Sequence, residues 1–143
     1  MMHNTKVTIP FEVIPDNDVP IIKFYLDEKP RYAVVDSGAE STLFDVSIKK
    51  FLHVVSSEEI SIVGVSGESQ QALIDSVEAT IWMRGYGKQV GIINVRGYMN
   101  NLSHISEHFL GKNDTVSAIL GSDMLNHFNA KIDYIKHEVV FNL

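Results

Sequence analysis

In Ala33-Val34-Val35-Asp36-Ser37-Gly38-Ala39-Glu40-Ser41-Thr42-Leu43-Phe44 an apolar run hands over to a carboxylate, a hydroxyl and a glycine, and then resumes. Asp is disfavoured inside strands, so Asp36 marks where a strand over 31–35 stops. Gly38 tolerates backbone conformations that a residue with a Cβ resists, which suits a tight loop presenting the carboxylate. Asp, Ser and Gly are also common turn formers, and taken alone the tripeptide is better explained as an ordinary strand-end turn. The rest of the chain has to change that balance.

Upstream, residues 6–13 alternate loosely through Val7, Ile9, Phe11 and Val13, a half-buried strand in which Pro10 marks an edge or a bulge. Pro15-Asp16-Asn17-Asp18 is a turn by composition, 19–26 a second strand, and Asp27-Glu28-Lys29-Pro30 the hairpin loop before the third strand at 31–35. Downstream, Phe44, Ile48, Phe51 and Leu52 form one helical face over 44–52, with Asp45 near its N-terminus. Segments 60–65 and 70–74 make a hairpin with Gly64 and Gly67 near its tip, and 77–83 and 89–95 make a second.

Leu102, Ile105 and Phe109 predict a helix over 101–110 that stops at Gly111. Residues 117–120 are a short apolar strand ending at Gly121, after which Ser122 or Asp123 caps a short helix over 124–128. Two strands, 130–135 and 138–141, close the chain. With no repeat, low-complexity stretch or linker, the pattern predicts a mainly β chain with a few short helices, one domain over 1–143.

At 143 residues the chain has the usual size of one domain and can bury a real core. No run approaches the roughly 20 apolar residues that span a bilayer. Residues 1–6 lack the apolar centre of a signal peptide, so no membrane partner and a cytoplasmic location are expected. The absence of cysteine excludes a disulfide framework, a thiol nucleophile and a thiolate metal site. A net charge of −6, with Lys49-Lys50 the only adjacent basic pair, argues against nucleic acid as a partner.

Two distant segments share one pattern, an apolar strand that ends in a small-residue loop and leads to a helix. One is Val34-Val35-Asp36-Ser37-Gly38-Ala39; the other is Ala118-Ile119-Leu120-Gly121-Ser122-Asp123-Met124-Leu125. Together with Lys131-Ile132-Asp133-Tyr134 and Val139-Val140-Phe141, they resemble the retropepsin-like aspartic proteases, and among these the single-domain cellular and bacterial type. The resemblance runs from about Val19 to the C-terminus. It implies a closed β-barrel with one lobe per chain, and it implies that Ile119, Leu120 and Gly121 pack beside and support the Asp36 loop.

The same resemblance implies the chemistry. Aspartic proteases use two carboxylates that share a proton across a bound water, with no metal and no cofactor. This chain has one Asp-Ser-Gly, so an active enzyme is expected to be a homodimer hydrolysing peptide bonds, with one catalytic Asp36 from each subunit. Ser37, Gly38 and Ala39 complete the active-site loop. For Ser37 two roles stand side by side: a hydroxyl bracing the two loops across the dimer, or a local turn hydrogen bond. Gly64, Val65, Ser66 and Gly67 resemble a flap that closes over substrate; a plain exposed β-turn is the alternative. The second function class is a catalytically silent dimeric module of the same fold that binds extended peptides by strand addition.

Other residues give weaker signals. Asp45, Asp123 and Asp133 fit capping and turn roles better than catalysis. His104 and His108 stand i, i+4 on a predicted helix, with no third metal ligand indicated. Trp82 is expected in core or hairpin packing, and Ser41-Thr42 have no local base that would make them nucleophiles. The apolar closing strand, 138–143, is expected to carry a free edge that a dimer would cover.

Overall fold

The computed structural model describes residues 5–14, 17–63, 67, 69–109 and 115–143. Its strands in chain order are β1 (Lys6–Pro10), β2 (Glu12–Ile14), β3 (Asn17–Leu26), β4 (Lys29–Val35), β5 (Leu43–Asp45), β6 (His53–Val63), β7 (Ser69–Arg84), β8 (Val90–Asn100), β9 (Val116–Leu120), β10 (Lys131–Asp133) and β11 (Glu138–Asn142). A 3-10 helix, Val46–Phe51, follows β5, and two short α-helices are α1 (Ser103–Phe109) and α2 (Ser122–His127). Of the turn expected at Pro15-Asp16-Asn17-Asp18, Asn17 and Asp18 belong to β3, while Pro15 and Asp16, the stop at Gly111, and Gly64, Val65 and Ser66 of the hairpin tip lie outside the described residues.

Six of the strands close a barrel. The order β3-β4-β9-β5-β8-β7 returns to β3 through the Tyr25↔Trp82 pair, while β2 and β6 extend the sheet at either end. Period-2 alternation explains which side chains fill it. On β7 Val77, Ala79, Ile81 and Met83 are buried, and on β8 Ile93, Val95 and Met99. These meet Phe24, Val35, Phe44 and Leu120 in one apolar core, with Val7, Val139 and Phe141 contributed from the terminal strands. Trp82 is on the other face, 45% exposed and paired with Ile92 across the β7–β8 hairpin, so of the core and hairpin positions expected for it the structure shows the hairpin one. Parity decides this: its neighbours Ile81 and Met83 point inward.

Four local differences from the sequence pattern have physical causes. The 6–13 segment is two strands: β1 pairs with β11, and β2 pairs with β3. The change of sheet follows Pro10, which has no N–H to continue a ladder. The hairpin between β3 and β4 is a two-residue turn, with φ of 52° at Asp27 and 61° at Glu28, so Lys29 and Pro30 already belong to the strand. Residues 43–45 are extended, and Asp45 caps the 3-10 helix by accepting from Ser47 N (3.1 Å). The two expected hairpins share one continuous 16-residue strand, β7.

The terminal strands form a separate three-stranded sheet in the order β1-β11-β10. β11 is its centre, with Val7↔Phe141 on one side and Ile132↔Val139 on the other. The free edge expected at the closing strand is therefore already covered within the chain.

Candidate functional site: the Asp36 loop

The loop is built on a strand inserted between its own two arms. β4 leads into Asp36 and β5 leads away from Thr42, yet β9 lies between them, parallel to β4 (Val35↔Leu120) and antiparallel to β5 (Leu43↔Ile119). The parallel ladder is carried one residue further by Asp36 N, which donates to Leu120 O (3.0 Å). The loop then folds on itself: Gly38 N donates to Asp36 Oδ1 (3.0 Å) and Ala39 N to Asp36 O (3.1 Å). A Cβ at Gly38 would stand 3.2 Å from that same Oδ1, so glycine lets the amide reach the carboxylate without crowding it. Asp36, Ser37 and Gly38 are exposed at the surface of the molecule.

Behind the loop sits a fully hydrogen-bonded brace. Ser122 N donates to Ala39 O (2.7 Å) and Asp123 N to Glu40 O (3.3 Å), which ties the start of α2 to the loop backbone. Asp123 Oδ2 accepts from Thr42 N (3.1 Å), and Oδ1 accepts from both Thr42 Oγ1 (2.8 Å) and Met124 N (2.7 Å). The Thr42 hydroxyl in turn accepts from Gly121 N (3.1 Å). Asp123 therefore stands in the first turn of α2, whose cap is Gly121, and its carboxylate is committed to Thr42. At Gly121 a Cβ would lie 2.7 Å from Ser41 C and 2.8 Å from Ala39 O, so the two segments approach as closely as backbone allows.

The remaining sequence-derived residues divide clearly. Ile119, Leu120 and Gly121 are in direct register with, or hydrogen-bonded to, the Asp36 loop. Gly67 is exposed with φ of 80° and nothing near its missing Cβ. The arm that carries it is a two-stranded ribbon: 57–63 pair with 69–75, while β8 joins β7 only from Ser76 onward. Ser76 shares a register row with Tyr98, Leu43, Ile119 and Val34, so the ribbon leaves the barrel level with the strand that ends at Asp36. Asp45 also serves the scaffold, accepting from Leu102 N (2.7 Å) at the start of α1. His104 and His108 lie on α1, and among the described residues no group of three His, Asp or Glu is placed to hold a metal ion. Among those residues, no helix is long and apolar enough to cross a membrane.

Thr42 is the residue that sequence reasoning missed. The available signal was a hydroxyl just ahead of the apolar pair Leu43-Phe44, facing a Gly-x-Asp at the far end of the chain.

The fold that carries this loop and its brace finds a match among solved structures. A retropepsin-like aspartic protease from Rickettsia conorii superimposes with a TM-score of 0.50 over 99% of this chain and 95% of that one, at 15% identity. The chain has the retropepsin-like fold. The retroviral protease-like domain of Ddi1 from Leishmania major (TM-score 0.48, 16% identity, 86% and 92% covered) is more distant in shape. So is EIAV protease complexed with the inhibitor HBY-793 (TM-score 0.43, 17% identity, 80% and 92% covered). No protein-family model and no curated protein sequence matches the chain. The likeness to other retropepsin-like chains is one of fold, and what this chain does has to be argued from its own residues.

Proposed function

We propose that this chain is an aspartic endopeptidase that works as a homodimer, with residues 1–143 forming one lobe and Asp36 of each lobe forming the catalytic pair. One observation carries the reading. The Asp36 carboxylate is exposed at the surface, accepting from Gly38 N, while the backbone behind its loop is fixed through Leu120 O, Ser122 N and the Thr42–Asp123 bonds. A turn that served only to reverse the chain would need no such brace. A carboxylate that must meet a twin within hydrogen-bonding reach does, because small misplacements are costly in catalysis.

In this mechanism the two Asp36 carboxylates hold one proton between them, since close like charges do not both ionise cheaply. The ionised partner takes a proton from the bound water as its oxygen attacks the peptide carbonyl carbon, and the protonated partner gives its proton to the carbonyl oxygen. Collapse of the resulting gem-diol breaks the C–N bond, with a proton delivered to the leaving amine. Ser37 stands beside the carboxylate for either of its two roles, across the dimer or within the turn. The ribbon of β6 and β7 supplies a flap over an extended peptide, with Gly64, Val65, Ser66 and Gly67 the residues that the family resemblance assigns to it.

Cleavage of a broad peptide library from acid to neutral pH tests this. Asp36→Asn should lower the rate by about 10²–10⁴-fold, the range typical of acid–base groups. A wild-type protein that binds library peptides but cuts none would replace the endopeptidase with a peptide-binding module.

A further inference from the structure

The dimer reading leaves open which surface joins the two chains, since β11 has no edge to offer. The turn between β10 and β11 does offer something. Ile135 at its tip is 97% exposed, and Tyr134 beside it is half exposed. A lone exposed isoleucine is unremarkable by itself. This one is held rigidly: the Asp133 carboxylate accepts from both Ile135 N and Lys136 N (3.0 Å each), and His137 closes the turn with φ of 54°. The turn is further fastened to the barrel by Phe11, whose N–H donates to His137 O (2.9 Å) and whose ring stacks on His137 at 5.2 Å.

Directly beside this rigid knob is an open hollow of about 540 Å³ lined by Val13, Asp18, Tyr134 and His137. A knob and a hollow side by side on one surface are what a two-fold, self-complementary contact requires, because each copy then supplies both halves. Charge agrees: Lys136 follows the knob and Asp18 lines the hollow. Their pairing would offset some of the repulsion between two chains of −6. Position agrees as well. Glu12, Ile21 and Val34 share a register row, so Val13, paired with Pro20, is level with Val35, two strand spacings (about 10 Å) from the strand that ends at Asp36.

We propose that the Tyr134–His137 turn is the self-docking element of the homodimer, Ile135 of each protomer filling the other's hollow and Lys136 facing the other's Asp18. The proposal rests on the dimer reading above and adds the surface to it. Sedimentation velocity over a concentration series tests it, with circular dichroism and thermal melts to show that each variant folds. Ile135→Asp should leave the fold intact and weaken the dimer by about 30-fold or more, as expected for a central apolar anchor. Asp18→Lys and Lys136→Glu should each weaken it, and the double variant should recover most of the loss, the signature of a direct contact. A wild type that dimerises while Ile135→Asp dimerises equally tightly overturns this surface and leaves the Asp36 pair standing. A wild type that stays monomeric at every concentration overturns both.

Discussion

Thr42 is fully buried, and it holds together two segments that sequence keeps apart, its own and 121–123. Its hydroxyl donates to Asp123 and accepts from Gly121 N, so replacing it leaves two polar groups short of partners at once. Thr42→Val keeps the shape and removes both bonds. It should cost about 1–3 kcal/mol in chemical denaturation, the usual penalty for stranding buried polar groups, while Thr42→Ser should retain most of the stability. Gly121→Ala makes a sharper claim. The new Cβ would meet backbone atoms of Ser41 and Ala39 that cannot rotate away, so the loop itself must shift. We expect this variant to lose peptide cleavage out of proportion to its loss in melting temperature, and equal losses would show that the brace only stabilises. At this scale the sequence was partly legible. Asp36 and Gly38 announce a loop by residue type, because carboxylate and glycine have strong local preferences. Thr42 and Asp123 do not announce each other, since a hydrogen bond across 81 residues leaves no local pattern.

The ribbon of β6 and β7 is latched to the 3-10 helix by one carboxylate. Asp75 accepts from Ser57 Oγ on the facing strand and pairs with Lys49 Nζ (2.9 Å). The Ser57 hydrogen bond first, and Lys49 second, hold the Asp75 carboxyl below the usual carboxylate range. A lowered folded-state value means the latch is fully present above the ordinary carboxylate pKa and is lost as pH falls through the lowered one. Hydrogen exchange at the 57–63 amides, corrected for the intrinsic pH dependence, should therefore accelerate as pH drops below about 4. In Asp75→Asn the same amides should already exchange faster at neutral pH and gain nothing further from acid. Elements were legible where alternation is long and regular, as at Val77 to Met83. They were misjudged where one residue's geometry outweighs the pattern. Asp27 and Glu28 take positive φ without the usual Asn-Gly signal, and Asp75-Ser76 looks like a break although β7 runs through it.

Barrel closure and dimer formation are properties of the whole molecule, and neither is written locally. The barrel closes through the single Tyr25↔Trp82 pair, which no periodicity could have identified. The terminal strands were legible as strands, yet placing β11 in the middle of their sheet covers the edge that was expected to be free. What the sequence does carry at this scale is a count, one Asp-Ser-Gly per chain, and that count makes a quantitative prediction. If the active site needs Asp36 from two chains, Asp36→Asn chains act as poisons rather than as diluents. Random exchange at a one-to-one ratio leaves about one quarter of the dimers with both carboxylates, half as many as the wild-type chains would form alone. Peptide cleavage per wild-type chain should then fall to about half on mixing, whereas a site complete within one chain would be unaffected. The double variant Asp36→Asn/Ile135→Asp separates poisoning from any other inhibition. If Ile135 anchors the dimer, that chain pairs weakly, and adding it should lower the wild-type rate far less than adding Asp36→Asn does.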